Sequence, residues 1–313
     1  VGNKKSLAFY VCSNGLGHYK RVYEVASLLC SDFDITIYCT EFQANKIGWI
    51  TDVKYEIYKL DNIRWDLVLA GDSLKSIENY FDWLIEYGDT TEKYDIVVSD
   101  NIVGLAQYRD DLVLMGSFFW HDVFESYLGE NYLSFSDKSI IQDNSIPVIT
   151  NKYVETQSMR GYNNKVQFGF GGKYKEVKVN QIENIIPLNP SLDYLKGYSE
   201  TIDKILSTNK FVKQNNLSYI SNTCIVARPG VGTITHCVEH SIPLIALYST
   251  KDSTEIIELA NYVEELGIGF KQDIDKPLDI GILDRLEDNS NFIEMSKLQT
   301  NGYIDIAKYI REL

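Results

Sequence analysis

Short, nearly continuous apolar runs alternate with helical-period stretches along most of this sequence, and few folds accept that pattern. From residue 5 to about 148 the strand-like runs are Ser6–Cys12, Phe33–Thr40, Lys54–Leu60, Tyr94–Asp100, Asp111–Phe119 and Ile146–Ile149. Runs such as DIVVSD and DLVLMG have no polar alternation, which suits strands covered on both faces. Between them lie helical stretches at 18–30, 41–48, 73–87 and roughly 101–109, with Ile77, Phe81 and Leu84 expected on one buried stripe. Strand and helix in regular alternation imply a parallel, doubly wound sheet.

Residues 150–181 interrupt the rhythm with Gly169, Gly171 and Gly172 close together and six basic residues against two acidic ones. This stretch reads as a connection leading into the first strand of a second domain. Alternation then resumes: ENIIPL, NTCIVAR and PLIALY as strands, and SLDYLKGYSETIDKILS, GTITHCVEHS and STEIIELANYVEELG as helices. In the last of these, Ile256, Leu259, Ala260, Val263 and Leu266 form the apolar stripe, Ser253 or Thr254 the cap and Gly267 the stop. The tail YIDIAKYIREL is a short amphipathic helix. The expected organisation is two α/β domains, 1–150 and 151–313.

A formal net charge of −14 argues against a nucleic-acid partner, because phosphate backbones attract basic surfaces. It also disfavours general adhesion to anionic membranes, while a local basic patch leaves a peripheral membrane contact open. Five widely spaced cysteines, none at zinc spacing, suit buried thiols in a reducing compartment. The apolar stretch after Lys4 and Lys5 ends too early for a signal peptide, and the longest apolar run, Leu112 to Trp120, is far short of a membrane span. A soluble cytoplasmic protein is expected.

In open parallel sheets ligands bind beyond the carboxyl ends of the strands, and each half has one glycine-marked turn there. In YVCSNGLGHYKR, Gly15 and Gly17 fall where a strand gives way to a helix, and His18 and Arg21 share a helix face at i and i+3. In ARPGVGTITHCVEH, Pro229 stops the strand, Gly230, Val231 and Gly232 form the turn, and Thr233 is expected to cap the next helix. Free N–H donors and the positive dipole end at such a helix start suit a phosphate. A glycine turn needed only for tight packing is the competing reading.

The stretch GLGHYKR, the run DIVVSD, and RPGVGTITHCVEHSIPLI followed by ELANYVEELGIG together resemble the GT-B-fold nucleotide-sugar glycosyltransferases. The resemblance is to the branch of the peptidoglycan lipid-intermediate N-acetylglucosaminyltransferase. The first stretch is also similar to the GxGHxxR signature of the pseudaminic-acid-pathway nucleotide-sugar hydrolase. The resemblance implies two facing Rossmann-like domains with a cleft between them, the first on the acceptor side and the second binding the donor. It implies Gly15 and Gly17 beside the donor phosphates and acceptor, and His18 as catalytic base. It also implies Gly230, Gly232 and Thr233 around the donor phosphate and Glu255 on the donor sugar. His236 stands where the family carries a ribose-gripping glutamate, and Ile256 and Leu259 replace its glutamine and asparagine. A neutral imidazole accepts one hydrogen bond where a carboxylate accepts two. Glu239, one turn on, is a substitute candidate.

Glycosyl transfer needs a base for the acceptor's proton and a means of stabilising the departing nucleotide phosphate. His18 suits the first task, against a structural histidine at a helix start. Arg21 is read either as an anion contact or as the orienter of a neighbouring acid, and Asp100, ending a strand, as a partner that orients His18 or binds acceptor. Arg228 is read as neutralising the leaving group or, slightly preferred, as an interdomain ion pair. His121 and His240 read as structural. Trp120 reads as core or as a sugar platform, and the aromatics of residues 60–90 as core or acceptor site. No DxD motif closes a strand, so no metal and no cofactor are expected. The expected activity is metal-independent, inverting transfer from a nucleotide sugar (UDP-linked by expectation) to a glycan or glycolipid in surface polysaccharide or glycoconjugate synthesis. The alternatives are a nucleotide-sugar hydrolase and a non-catalytic nucleotide-sugar binding protein.

Overall fold

In the computed structural model, residues 4–129, 136–173, 182–188, 196–208, 210–214, 222–286 and 294–313 are described. The apolar runs become two wholly parallel sheets, as the absence of polar alternation requires. Seven strands make the first: β1 (Ser6–Val11), β2 (Asp34–Cys39), β3 (Lys54–Ile57), β4 (Ile96–Asp100), β5 (Val113–Met115), β6 (Val148–Asn151) and β7 (Lys165–Phe168), in the order β3-β2-β1-β4-β5-β6-β7. Five make the second: β8 (Asn184–Leu188), β9 (Val212–Lys213), β10 (Thr223–Ala227), β11 (Leu244–Tyr248) and β12 (Gly269–Asp273), in the order β12-β11-β10-β8-β9.

The helices between the strands of the first sheet are α1 (Leu16–Leu29), α2 (Glu41–Ile47), α3 (Trp65–Leu69), α4 (Ser73–Tyr87), α5 (Trp120–Leu128), α6 (Ser136–Gln142) and α7 (Gln157–Gly161). Those of the second half are α8 (Lys196–Ser207), α9 (Val231–His240), α10 (Thr254–Glu265), α11 (Ile280–Arg285) and α12 (Gly302–Glu312). Among the described residues, no helix is long and apolar enough to cross a membrane.

The helical stripe expected on α1 is observed: Val22, Val25, Ala26 and Leu29 are fully buried against Leu7, Phe9 and Val11 of β1. On α4 the buried stripe is instead Tyr80, Trp83, Leu84 and Tyr87, and Phe81 faces outward. The helix expected at 101–109 is only a 3₁₀ segment, Val103–Gln107. Its Gly104 N–H donates to the Tyr80 hydroxyl at 2.9 Å, and a Cβ there would lie 2.7 Å from Leu84 Cδ1, so tight packing on α4 replaces helical continuation.

The chain forms two compact units, Val1–Phe168 with Tyr303–Leu313, and Gly169–Gly302. The expected break at 150/151 is displaced. The segment read as opening a second domain instead adds α7 and β7 to the first sheet, where Val148 pairs with Lys165 and Asn151 with Phe168. The tail helix α12 likewise belongs to the first unit, where Ile306, Ala307 and Ile310 are buried with β1 and α1 residues. Pairing and apolar burial, which sequence composition does not report, set both memberships.

Candidate active site

In the first sheet the chain leaves β1 for β2 on one side and β4 for β5 on the other, so the carboxyl ends of β1 and β4 flank a topological switch point. Such a crevice is where parallel sheets bind ligands. Val11 pairs in register with Asp100, and the Cys12 N–H donates to the Asp100 carbonyl at 3.2 Å. The turn after β1 is thereby fixed beside the last residue of β4.

Gly15 caps α1 with φ +80°, a conformation that favours glycine. Gly17, placed by sequence in the turn, lies within the first helical turn. A Cβ at either position meets no protein atom within 4 Å, so space beside both is open. The turn is braced from outside. Gln43 Nε2 donates to the carbonyls of Cys12 and Gly15, each at 2.8 Å, while the same side chain completes a capping box with Thr40. Asn62 Oδ1 accepts from the Ser13 N–H at 2.8 Å, and its Nδ2 donates to the Val11 carbonyl at 3.1 Å. Sequence reading missed both braces. The TEFQ capping signature announces Gln43's local role but not its reach across 31 residues to Cys12.

His18 and Arg21 converge on one carboxylate. His18 Nδ1 lies 2.6 Å from Asp100 Oδ1. Arg21 donates from Nε to Oδ2 at 3.0 Å, and from Nη2 to both carboxylate oxygens at 2.8 Å. The Asp100 side chain is 0% exposed, against 13% for His18 and 18% for Arg21. A carboxylate so buried requires a charged partner, and the guanidinium fork supplies it. With Nδ1 on Asp100, Nε2 has no hydrogen-bond partner among the described residues. An imidazole oriented by a buried carboxylate is the arrangement of a general base.

Aromatic rings surround this histidine. Phe118 and Trp120 lie 6.2 Å from His18, centroid to centroid, and half-buried Trp65 lies 6.0 Å from Trp120 and 5.3 Å from Tyr127. The two tryptophans of residues 60–90 therefore part company: Trp65 joins the rings near His18, while Trp83 is wholly in the core with Tyr58 and Tyr87. His121 is buried, with Nε2 3.1 Å from Asp122 Oδ1 and its ring stacked on Phe119.

In the second sheet the switch point lies between β8 and β10, and the turn after β10 carries the second glycine motif. Gly230, not Thr233, is the N-cap of α9. Val231 begins the helix, and Gly232 and Thr233 complete its first turn. The extended backbone at Gly230 (φ −136°, ψ 155°) lets the helix start three residues earlier than expected, and a Cβ there would meet nothing within 4 Å. Glycine at the N-cap offers no side-chain capping bond to the first N–H groups of the helix.

Arg228 Nε donates to Asp252 Oδ1 at 3.2 Å, so the expected interdomain ion pair is a pair within the second unit. The other Asp252 oxygen accepts from the Tyr198 hydroxyl and from the Ser249 N–H at 2.8 Å. Asp252 carried no motif and was missed. Ser253 occupies the N-cap position of α10 without a side-chain capping bond, and Gly267 follows its end at φ +63°. Half-buried Glu255, in its first turn, is pushed up to about 7 by desolvation; Arg228 opposes the rise and Asp252 adds to it.

Below about pH 4.5, the ordinary value for this carboxyl, both folded and unfolded chains hold the Glu255 proton. Between that value and about 7 only the folded chain keeps it, so stability falls as pH rises through this window and then levels. Glu255→Gln is therefore expected to match the wild type in urea unfolding at pH 4.5. At pH 8 it should gain about 1–2 kcal/mol, the figure discounted for partial exposure. An equal difference at both pH values would refute this.

No protein-family model matches the chain, and no curated protein matches it in sequence. Among solved structures it is similar to the glycosyltransferase of kitacinnamycin, with TM-score 0.64 and 11% identity over 99% of both chains. It is similar to the glycosyltransferase SnogD from Streptomyces nogalater, with TM-score 0.60 and 12% identity over 99% of both. LpCGTa, solved in complex with UDP, gives TM-score 0.65 and 9% identity over 98% of this chain and 99% of that one. The fold is that of the GT-B glycosyltransferase structures, shared along essentially the whole chain.

Proposed function

We propose that this chain is a glycosyltransferase that moves a sugar from a nucleotide-activated donor to a glycan or glycolipid acceptor, with inversion. The observation that carries the reading is His18, held through Nδ1 by a buried Asp100 that Arg21 clasps, at the switch point of the first sheet. His18 Nε2 takes the proton of the acceptor hydroxyl as its oxygen bonds to the anomeric carbon. The bond from that carbon to the phosphate oxygen breaks, and the nucleotide leaves with the electron pair. Asp100 stabilises the imidazolium. Charge on the leaving diphosphate is met by the uncapped start of α9 at Gly230–Thr233, with no metal needed at the phosphates. Glu255 and Arg228 serve the donor beside it. The UDP bound to structural neighbours supports a UDP-linked donor, and open space at Gly15, Gly17 and Gly230 supports close approach of a ligand to the backbone. Resemblance of the motifs supports a setting in surface glycan synthesis, on the peptidoglycan-transferase side of the family.

The test follows nucleotide release from UDP-sugars with and without glycan and glycolipid acceptors. Slow release alone and much faster release with the right acceptor are expected. Equally fast release without acceptor would establish a hydrolase, and tight nucleotide binding with no release in either arm a binding protein.

A further inference from the structure

Among the described residues, one group of three metal-competent side chains gathers in the second unit, away from the start of α9. His236, Glu239 and His240 stand at i, i+3 and i+4 on α9, a spacing that places them on one face of the helix. All three are half-buried, and one donor atom from each lies within 4.8 Å of the others. The two imidazole rings are 4.4 Å apart, inclined at 60°.

We propose that these three side chains form a site for a divalent transition metal, Zn²⁺ by the chemistry of its donors. Two imidazoles and one carboxylate suit zinc and exclude the hard cations that prefer oxygen alone. Zinc bonds of roughly 2.0–2.1 Å set donors roughly 3.4 Å apart, so side-chain rotations of about 1 Å close the set around an ion. Glu239 is already oriented, since its Oε1 accepts the Gly172 N–H and its other oxygen stays available. A Cβ at Gly172 would lie 2.6 Å from that oxygen, so the glycine leaves room for the carboxylate. Such outer hydrogen bonds fix metal ligands elsewhere.

The position within the helix supplies an independent argument. His240 is the last residue of α9, and the negative end of the helix dipole favours a cation there. His236 lies about 7–8 Å along the axis from Val231, at roughly 1.5 Å per residue. The ion therefore sits apart from the phosphate-binding end and ties the 172 backbone to the last turns of the helix. Three protein ligands leave a fourth position for water.

The test is equilibrium dialysis of EDTA-treated protein against Zn²⁺, with bound metal measured by atomic emission and Co²⁺ used as a spectroscopic probe. One zinc per chain is expected, with tetrahedral Co²⁺ visible bands and a raised thermal midpoint. His236→Ala and His240→Ala should each weaken binding by roughly a hundredfold, and the shape-preserving Glu239→Gln by roughly tenfold or more. Circular dichroism confirms that each variant is folded, and Glu239→Gln carries the comparison should a histidine variant not fold. Absence of saturable zinc in the wild type overturns the proposal. So does zinc retained at full affinity by all three variants, which would place it on other ligands.

Discussion

His18→Ala is expected to lower turnover by roughly a hundredfold or more while donor affinity stays near that of the wild type. In the proposed mechanism the imidazole acts on the reacting proton alone. It bonds a buried carboxylate, and the Phe118 and Trp120 rings lie 6.2 Å from it, centroid to centroid. Removing it takes away transition-state stabilisation without touching the α9 start, where the donor phosphate is proposed to bind. Steady-state kinetics with a transferring donor and acceptor, paired with calorimetric titration of nucleotide, separates the two effects. Wild-type turnover in the variant would make His18 structural and send the search for a base elsewhere.

Arg21→Met is expected to cost about 3–5 kcal/mol of folding stability, more than an exposed ion pair would. Asp100 is fully buried, and Arg21 supplies three of its close donor contacts. Without the guanidinium, the carboxylate keeps only His18 as a side-chain partner among these groups. Adding Asp100→Leu to Arg21→Met should restore much of the loss, because an apolar pair leaves no uncompensated charge. Urea unfolding of the single and double variants measures both. A loss below about 1 kcal/mol for Arg21→Met would show that the pair is as weak as a surface one.

Parts of this molecule were legible because they depend on local pattern. The α1 stripe and the Gly267 stop of α10 follow from helical periodicity and turn chemistry, and Ser253 takes the N-cap position without a side-chain capping bond. Asp100 was visible as the polar end of an apolar strand. Its clasp by Arg21 was not, because the two are 79 residues apart and only the β1–β4 pairing brings them together. The α4 stripe was misplaced because Tyr80 buries its ring while spending its hydroxyl on Gly104, a use that hydropathy does not score. The glycine-rich, basic stretch before 181 carried the composition of a linker, yet β7 within it is fixed by pairing with β6. Amphipathicity marked the last helix but not the core it completes. Gln43 and Asn62 show the same limit for the site: long-range side-chain bonds to backbone leave no periodic trace.

The return of residues 303–313 to the first unit has a consequence for synthesis of the chain. Residues 169–302 are continuous and can condense as they emerge, since domains fold as units during translation. The first unit is made earlier but finished later, because Ile306, Ala307 and Ile310 fill a place against β1 and α1 that stays bare until they are made. Apolar surface near Leu7, Phe9 and Val22 is thus uncovered for as long as the ribosome takes to build everything between. At roughly 5–20 residues per second, the stretch 169–302 imposes a wait of about seven to twenty-seven seconds. In that interval the first unit carries uncovered apolar surface of the kind that makes partly folded chains prone to aggregate.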